Sequence, residues 1–200
     1  MRRLTLGDVD AVVALDAEAY APGLWTREQY VAEVEREQGF AIGAVSETGA
    51  LLGMLFMAAV LDEAMITNLC AARSARRRGL ATQLLDAALA DGCAAGVHLF
   101  VLEVRRANRA AQKLYKSRGF VQAGLRKGYY AGPRDDAAVL LLRCPALAGV
   151  AEESAEGDGV PMPALEVLES TGIIMSDALR AGVLIELRPL WPADVGRNPN

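Results

Sequence analysis

Up to Pro145 the chain alternates between apolar runs of strand length and longer amphipathic stretches; beyond it that order dissolves. Arg2 to Leu6 reads as a short strand, and Val9 to Ala19 as a helix with Asp8 as its N-cap. Val12, Val13 and Leu15 are too few to define that helix's buried face. Trp25-Thr26 opens a second helix, Arg27 to Glu37, with Thr26 as cap and Glu28 bringing negative charge to the first turn. Phe40 to Ser46 and Leu51 to Val60 flank Glu47-Thr48-Gly49-Ala50, which predicts a hairpin. A further run, Ala64 to Ala71, follows the turn-like Leu61-Asp62-Glu63. Arg76-Arg77-Arg78-Gly79-Leu80-Ala81 then opens a helix that runs to Ala95 and ends at Gly96. Val97 to Val104 reads as a buried strand. Asn108 caps a helix from Arg109 to Arg118, which Gly119 stops. Phe120 to Leu125 and Ala137 to Arg143 read as the last strands. This order predicts an α+β fold, a mixed central sheet flanked by helices.

Charge marks where the domain ends. To Pro145 there are 18 Lys+Arg and 16 Asp+Glu; the remaining residues hold 3 and 9. Residues 1–145 therefore read as one domain, with an acidic C-terminal extension. Residues 146–162, with Glu152, Glu153, Glu156 and Asp158 among small residues, are expected to be a disordered linker. Residues 163–200 regain apolar periodicity but carry no motif.

Bulk properties exclude several classes. A net charge of -4 argues against broad nucleic-acid binding. No apolar run reaches membrane-spanning length, and no secretory signal opens the chain, so a cytoplasmic location is expected. Cys70, Cys93 and Cys144 lack metal-ligand spacing and suggest reduced thiols rather than a disulfide framework. With His98 as the single histidine, no metal site is expected.

The segment Arg76 to Ala81 carries the strongest chemistry. A glycine-containing loop between strand and helix exposes backbone N–H groups, and the helix N-terminus adds positive partial charge; together they suit phosphates. It is neither a Walker A loop nor a dinucleotide fingerprint. Taken alone, it is equally well a basic turn before a helix. Its Arg-x-x-Gly-x-Ala pattern, formed by Arg76, Gly79 and Ala81, resembles the acetyl-CoA pyrophosphate loop of the GNAT superfamily. Leu102 to Ala111, Leu114 to Phe120 and Gly128-Tyr129-Tyr130 resemble the ribosomal-protein-alanine N-acetyltransferases within it. The resemblance spans roughly Leu4 to Arg143 and is strongest from Ile66 to Tyr130.

The resemblance implies acetyl transfer from acetyl-CoA to an amine, without a metal. It implies donor-binding positions at Leu69, Ala71, Arg76, Arg77, Arg78, Gly79, Leu80, Ala81, Thr82, Asn108 and Tyr115. Leu69-Cys70-Ala71 would offer its backbone to the acyl oxygen, with Cys70 read as a buried small residue rather than a nucleophile. Asn108 is explained equally well by its helix cap. Glu103 stands in an otherwise apolar strand, where an unpaired carboxylate is costly unless it faces a cleft or partner. The resemblance makes it the general base; a strand-end ion pair with Arg105 or Arg106 is the alternative. It makes Tyr115 the general acid toward the leaving thiolate; an ordinary core tyrosine is the alternative. The implied acceptor is a protein N-terminus, an alanine on a small-subunit ribosomal protein. Tyr20-Ala21-Pro22-Gly23-Leu24-Trp25-Thr26 departs from the family's acceptor motif, because no proline precedes Trp25. That departure keeps a small-molecule amine open as acceptor, and a non-catalytic acyl-CoA-binding module as a further alternative. Glu18 and Glu33 are noted as charges that would suit a basic peptide.

Overall fold

The computed structural model describes residues 1–20 and 23–144. The expected linker at 146–162 and extension at 163–200 lie outside the described residues. Strands β1 (Arg2–Arg3), β2 (Gly39–Val45), β3 (Leu51–Val60), β4 (Glu63–Ala71), β5 (Leu99–Arg105), β6 (Val121–Tyr130) and β7 (Asp135–Arg143) are joined by helices α1 (Val9–Tyr20), α2 (Arg27–Glu35), α3 (Leu80–Ala94) and α4 (Arg109–Lys116). Hydrogen-bond order in the mixed sheet is β1-β2-β3-β4-β5-β7-β6. The chain divides into two compact units, the first Met1–Leu102 and the second beginning at Glu103.

In the first unit β1 to β4 pair antiparallel, and β4 pairs parallel with β5 from Glu63↔Leu99 to Ile66↔Leu102. A parallel pair needs a crossover, which α3 supplies. The core gathers Val9, Val12 and Leu15 of α1 with an aromatic trio: Trp25, Tyr30 and Phe56. The Trp25–Tyr30 and Tyr30–Phe56 centroids are each 5.2 Å apart, a spacing that favours tilted packing. Buried Asp16 explains how the chain enters α2: its Oδ2 accepts the Leu24 amide at 2.5 Å and the Trp25 amide at 3.3 Å. Thr26 then caps α2 through a capping box with Gln29. Gly92 lies inside α3 for a packing reason. A Cβ there would stand 2.7 Å from the Phe100 ring, so glycine is what lets the helix lie on β5.

The second unit holds the end of β5, α4, β6 and β7. Asn108 caps α4 by accepting the Ala111 amide at 3.1 Å. Strands β6 and β7 pair antiparallel, with irregularities between Gln122 and Gly124 and between Arg126 and Tyr130.

Three expectations shift. The first strand is only Arg2–Arg3, because Thr5 and Asp8 close a capping box around a 3-10 turn at Leu6–Asp8. Asp8 therefore belongs to that turn rather than capping α1 directly. Strand β6 runs on to Tyr130, past the expected Leu125, so Gly128-Tyr129-Tyr130 lies within a strand. Cys93 and Cys144 are disulfide-bonded, leaving Cys70 as the free thiol.

Candidate active site

The phosphate-type loop belongs to the first unit. Strand β4 ends at Ala71, a 3-10 turn covers Arg73–Ala75, and α3 starts at Leu80. Two residues between them take positive φ, Arg77 at 63° and Gly79 at 76°. Gly79 is the N-cap of the 15-residue α3 and offers no side-chain hydrogen bond to it. The first intrahelical bond runs from the Gln83 amide to the Gly79 carbonyl at 3.0 Å. The amides of Leu80, Ala81 and Thr82 are thus helix-start donors, with the positive end of the dipole behind them. A Cβ on Gly79 would meet only Gln83 Nε2, at 4.0 Å. These features fit a pyrophosphate. The Arg76 side chain turns back and donates through Nε to the Ala71 carbonyl at 3.1 Å, bracing the loop.

On β4 the buried positions alternate through Ala64, Ile66, Asn68 and Cys70, so Leu69 and Ala71 take the opposite face. Burial, then the Asp16 charge, pushes the Cys70 thiol up to about 12. A thiol so poor in thiolate is a poor nucleophile, in keeping with the reading of Cys70 as a buried small residue. Of the acidic residues noted as charges for a basic peptide, Glu33 is buried and paired with Arg36 at 2.6 Å. Glu18 accepts a backbone amide, that of Arg73.

The second unit holds the titratable cluster. In β5, Leu102 and Val104 are buried, and Glu103 and Arg105 take the other face. Glu103 pairs with Arg126 of β6, Nε to Oε1 at 3.0 Å, with only 9% of its side chain exposed. The pairing with Arg105 or Arg106 that stood as the alternative is not the one found. Arg105 instead donates to the Gly132 and Pro133 carbonyls at 3.0 and 2.9 Å and stacks over Tyr130 at 4.0 Å. Arg106 pairs with Asp136 at 3.4 Å.

Tyr129 and Tyr130 are neighbours in a strand and would ordinarily face opposite sides. The irregularity in β6 changes that. Gly128 takes φ 62°, and its amide is held by Asp136 Oδ1 at 2.9 Å. The two rings then meet edge to face at 5.1 Å. Tyr129 hydrogen-bonds the Glu103 carboxylate; burial first, then that charge, raise its pKa well above the usual phenol range. Tyr130 is pushed up to about 12 by burial, with Glu103 next. Tyr115 is buried on α4, edge to face with Phe120 at 5.7 Å, and is raised by burial and then by Tyr130. So β5, β6 and α4 gather Glu103, Tyr129, Tyr130 and Tyr115. Reading the sequence alone missed Arg126 and the Gly128–Asp136 contact; the glycine before two tyrosines was the available signal.

These shifts set a pH dependence. A group whose folded pKa exceeds its unfolded value lends stability that is complete below the unfolded pKa and is lost as pH rises through the folded one. Cys70 moves from 9.0 and Tyr130 from 10.0, each to about 12. The urea midpoint should therefore fall as pH rises from about 9 to 12, and Cys70→Ala should delay the onset toward pH 10. A midpoint that stays flat to pH 11 would contradict this.

The parallel β–α–β crossover with a glycine-capped helix start, and the carboxylate–tyrosine cluster on the following strands, fit an acyl-CoA-dependent transferase. The chain belongs to the acetyltransferase (GNAT) family, whose profile matches residues 10–120. The [ribosomal protein bS18]-alanine N-acetyltransferase of Escherichia coli (strain K12) is 30% identical over 138 residues, 68% of this chain and 90% of the relative. The crystal structure of the ribosomal-protein-S18-alanine N-acetyltransferase from Escherichia coli superposes with a TM-score of 0.67 at 26% identity, covering 80% of this chain and 97% of that one. Arabidopsis thaliana NAA60 in complex with acetyl-CoA shares the fold, with a TM-score of 0.65 at 18% identity over 71% of this chain and 96% of that one. Among the described residues no helix is long and apolar enough to cross a membrane.

Proposed function

We propose that this acetyltransferase moves the acetyl group of acetyl-CoA to the α-amino group of a protein N-terminus, the N-terminal alanine of ribosomal protein bS18. The observation that carries the reading is Glu103, a carboxylate with little solvent exposure, held by Arg126 and Tyr129. The likeness to relatives that bear this activity in their names, over nine-tenths of the Escherichia coli enzyme, supports the acceptor.

In this reading the amides at the start of α3 and the loop Arg76 to Thr82 hold the pyrophosphate. The backbone of Leu69 to Ala71 receives the thioester oxygen as it becomes an oxyanion. Glu103 takes a proton from the acceptor ammonium, whose ordinary pKa of about 8 makes a carboxylate aided by water a sufficient base. The freed amine attacks the thioester carbon; its C–N bond forms, the C–S bond breaks, and the second amine proton passes through water to the departing thiolate. Tyr115, a protonated phenol at neutral pH whose pKa burial raises further, donates a hydrogen bond to the departing thiolate. That raised pKa makes it a stabiliser of the leaving sulfur more than a source of a fully transferred proton. Asn108 serves α4 as cap, and its role toward the pantetheine arm is part of the same proposal.

The departure at Trp25 favours the second reading, a small amine as acceptor. Trp25 is buried in the core against Tyr30 and Phe56, which by itself explains its presence. Incubation with acetyl-CoA and a peptide of the bS18 N-terminal sequence, read by mass spectrometry, separates the two. Acetylation at the α-amino group is the expected result. Turnover of a polyamine without turnover of the peptide would move the assignment to the small-amine class.

A further inference from the structure

Helix α1 approaches the donor loop through its last turn. Glu18 Oε1 accepts the backbone amide of Arg73 at 2.6 Å, and Tyr20 donates its hydroxyl to the Leu69 carbonyl at 2.9 Å. The Arg73–Ala75 turn begins at Ala72, which has no side chain with which to cap it. Glu18 supplies that cap from another element. The turn leads directly into Arg76-Arg77-Arg78-Gly79. Both sides of the contact rest on one apolar cluster, since Val9, Val12 and Leu15 of α1 are buried together with Ala72 and Ala75.

We infer that Glu18 is a positioning residue for the donor, fixing the entry to the phosphate loop through the Arg73 amide. This rests on the acetyl-CoA reading of the loop. Electrostatics alone argues the opposite effect. Glu18 is a negative charge near the loop, strong enough at Cys70 to contribute to raising its pKa. If charge were all it contributed, removing it would help a pyrophosphate bind. Positioning predicts that removing it hurts. A charge-assisted hydrogen bond to a backbone amide is the kind of contact whose loss a loop registers.

The two effects separate in two variants. Glu18→Gln keeps an acceptor oxygen and removes the charge; Glu18→Ala removes both. Glu18 is exposed, so neither variant threatens folding. Calorimetric titration of the full chain with CoA should show a dissociation constant about tenfold higher for Glu18→Ala and within about threefold of wild type for Glu18→Gln. In turnover, the KM for acetyl-CoA should rise in Glu18→Ala while the KM for the peptide stays unchanged. Undiminished or tighter CoA binding by Glu18→Ala overturns the inference while leaving the donor reading intact. A wild-type chain that binds no CoA overturns both.

Discussion

Glu103→Gln lowers kcat for peptide acetylation by about 10²-fold or more while leaving CoA binding within twofold of wild type. Glutamine keeps the size and hydrogen-bonding reach of the side chain and loses its charge and the ability to take a proton. The fold should tolerate the change. Arg126 is 42% exposed and can return to water, so the pair with Glu103 is worth under about 1 kcal/mol once screening is counted. Tyr129 keeps an oxygen to donate to. Steady-state kinetics with an alanine-initiated peptide, beside a CoA titration of the same preparation, measures both quantities. A fall of less than threefold would remove Glu103 from the chemistry and leave it as the ion-pair partner of Arg126. Loss of CoA binding in parallel would mean that the substitution had disturbed the fold.

The second large effect is expected at Gly79, on binding rather than on turnover. Gly79→Val forces a β-branched side chain into the left-handed region, where any residue with a Cβ is strained by about 1–2 kcal/mol. The space beside Gly79 is open apart from Gln83 Nε2, so no clash with the core adds to that cost. The domain should therefore remain folded, with its unfolding midpoint slightly lowered. The new side chain would stand at the mouth of α3, over the amides of Leu80, Ala81 and Thr82. CoA affinity should fall by at least tenfold, equivalent to about 1.4 kcal/mol. A calorimetric titration beside a thermal melt tests this. Wild-type affinity in a folded Gly79→Val protein would mean that the phosphates are held elsewhere.

Part of the candidate site is legible in the sequence. Arg76 to Ala81 could be read as a candidate phosphate loop because a glycine ahead of a helix is a local pattern that resembles the family's loop. The caps at Thr26 and Asn108 were legible for the same reason: each satisfies an amide three residues on. Glu103 stood out because a charge in an apolar run of strand length needs a reason. Its partner Arg126 was not legible, because the nearest arginines in sequence, Arg105 and Arg106, are the natural candidates for a pair. The strand instead turns Arg105 toward Tyr130 and the 132–133 carbonyls, and Arg126 comes from a hairpin more than twenty positions on.

The sequence by itself determined the order of elements and the α+β class, and local pattern singled out the glycine loop before α3. All of these rest on interactions within a few residues: hydrophobic period, helix caps and glycine conformation. Tertiary structure alone decided the pairing of Glu103 with Arg126 and the convergence of Tyr129 and Tyr130 at a kinked strand. It also decided the cap that Glu18 lends to Arg73. Each of these depends on which strand lies beside which and how much water remains between them. Those are properties of packing over long sequence separations, to which local pattern is blind.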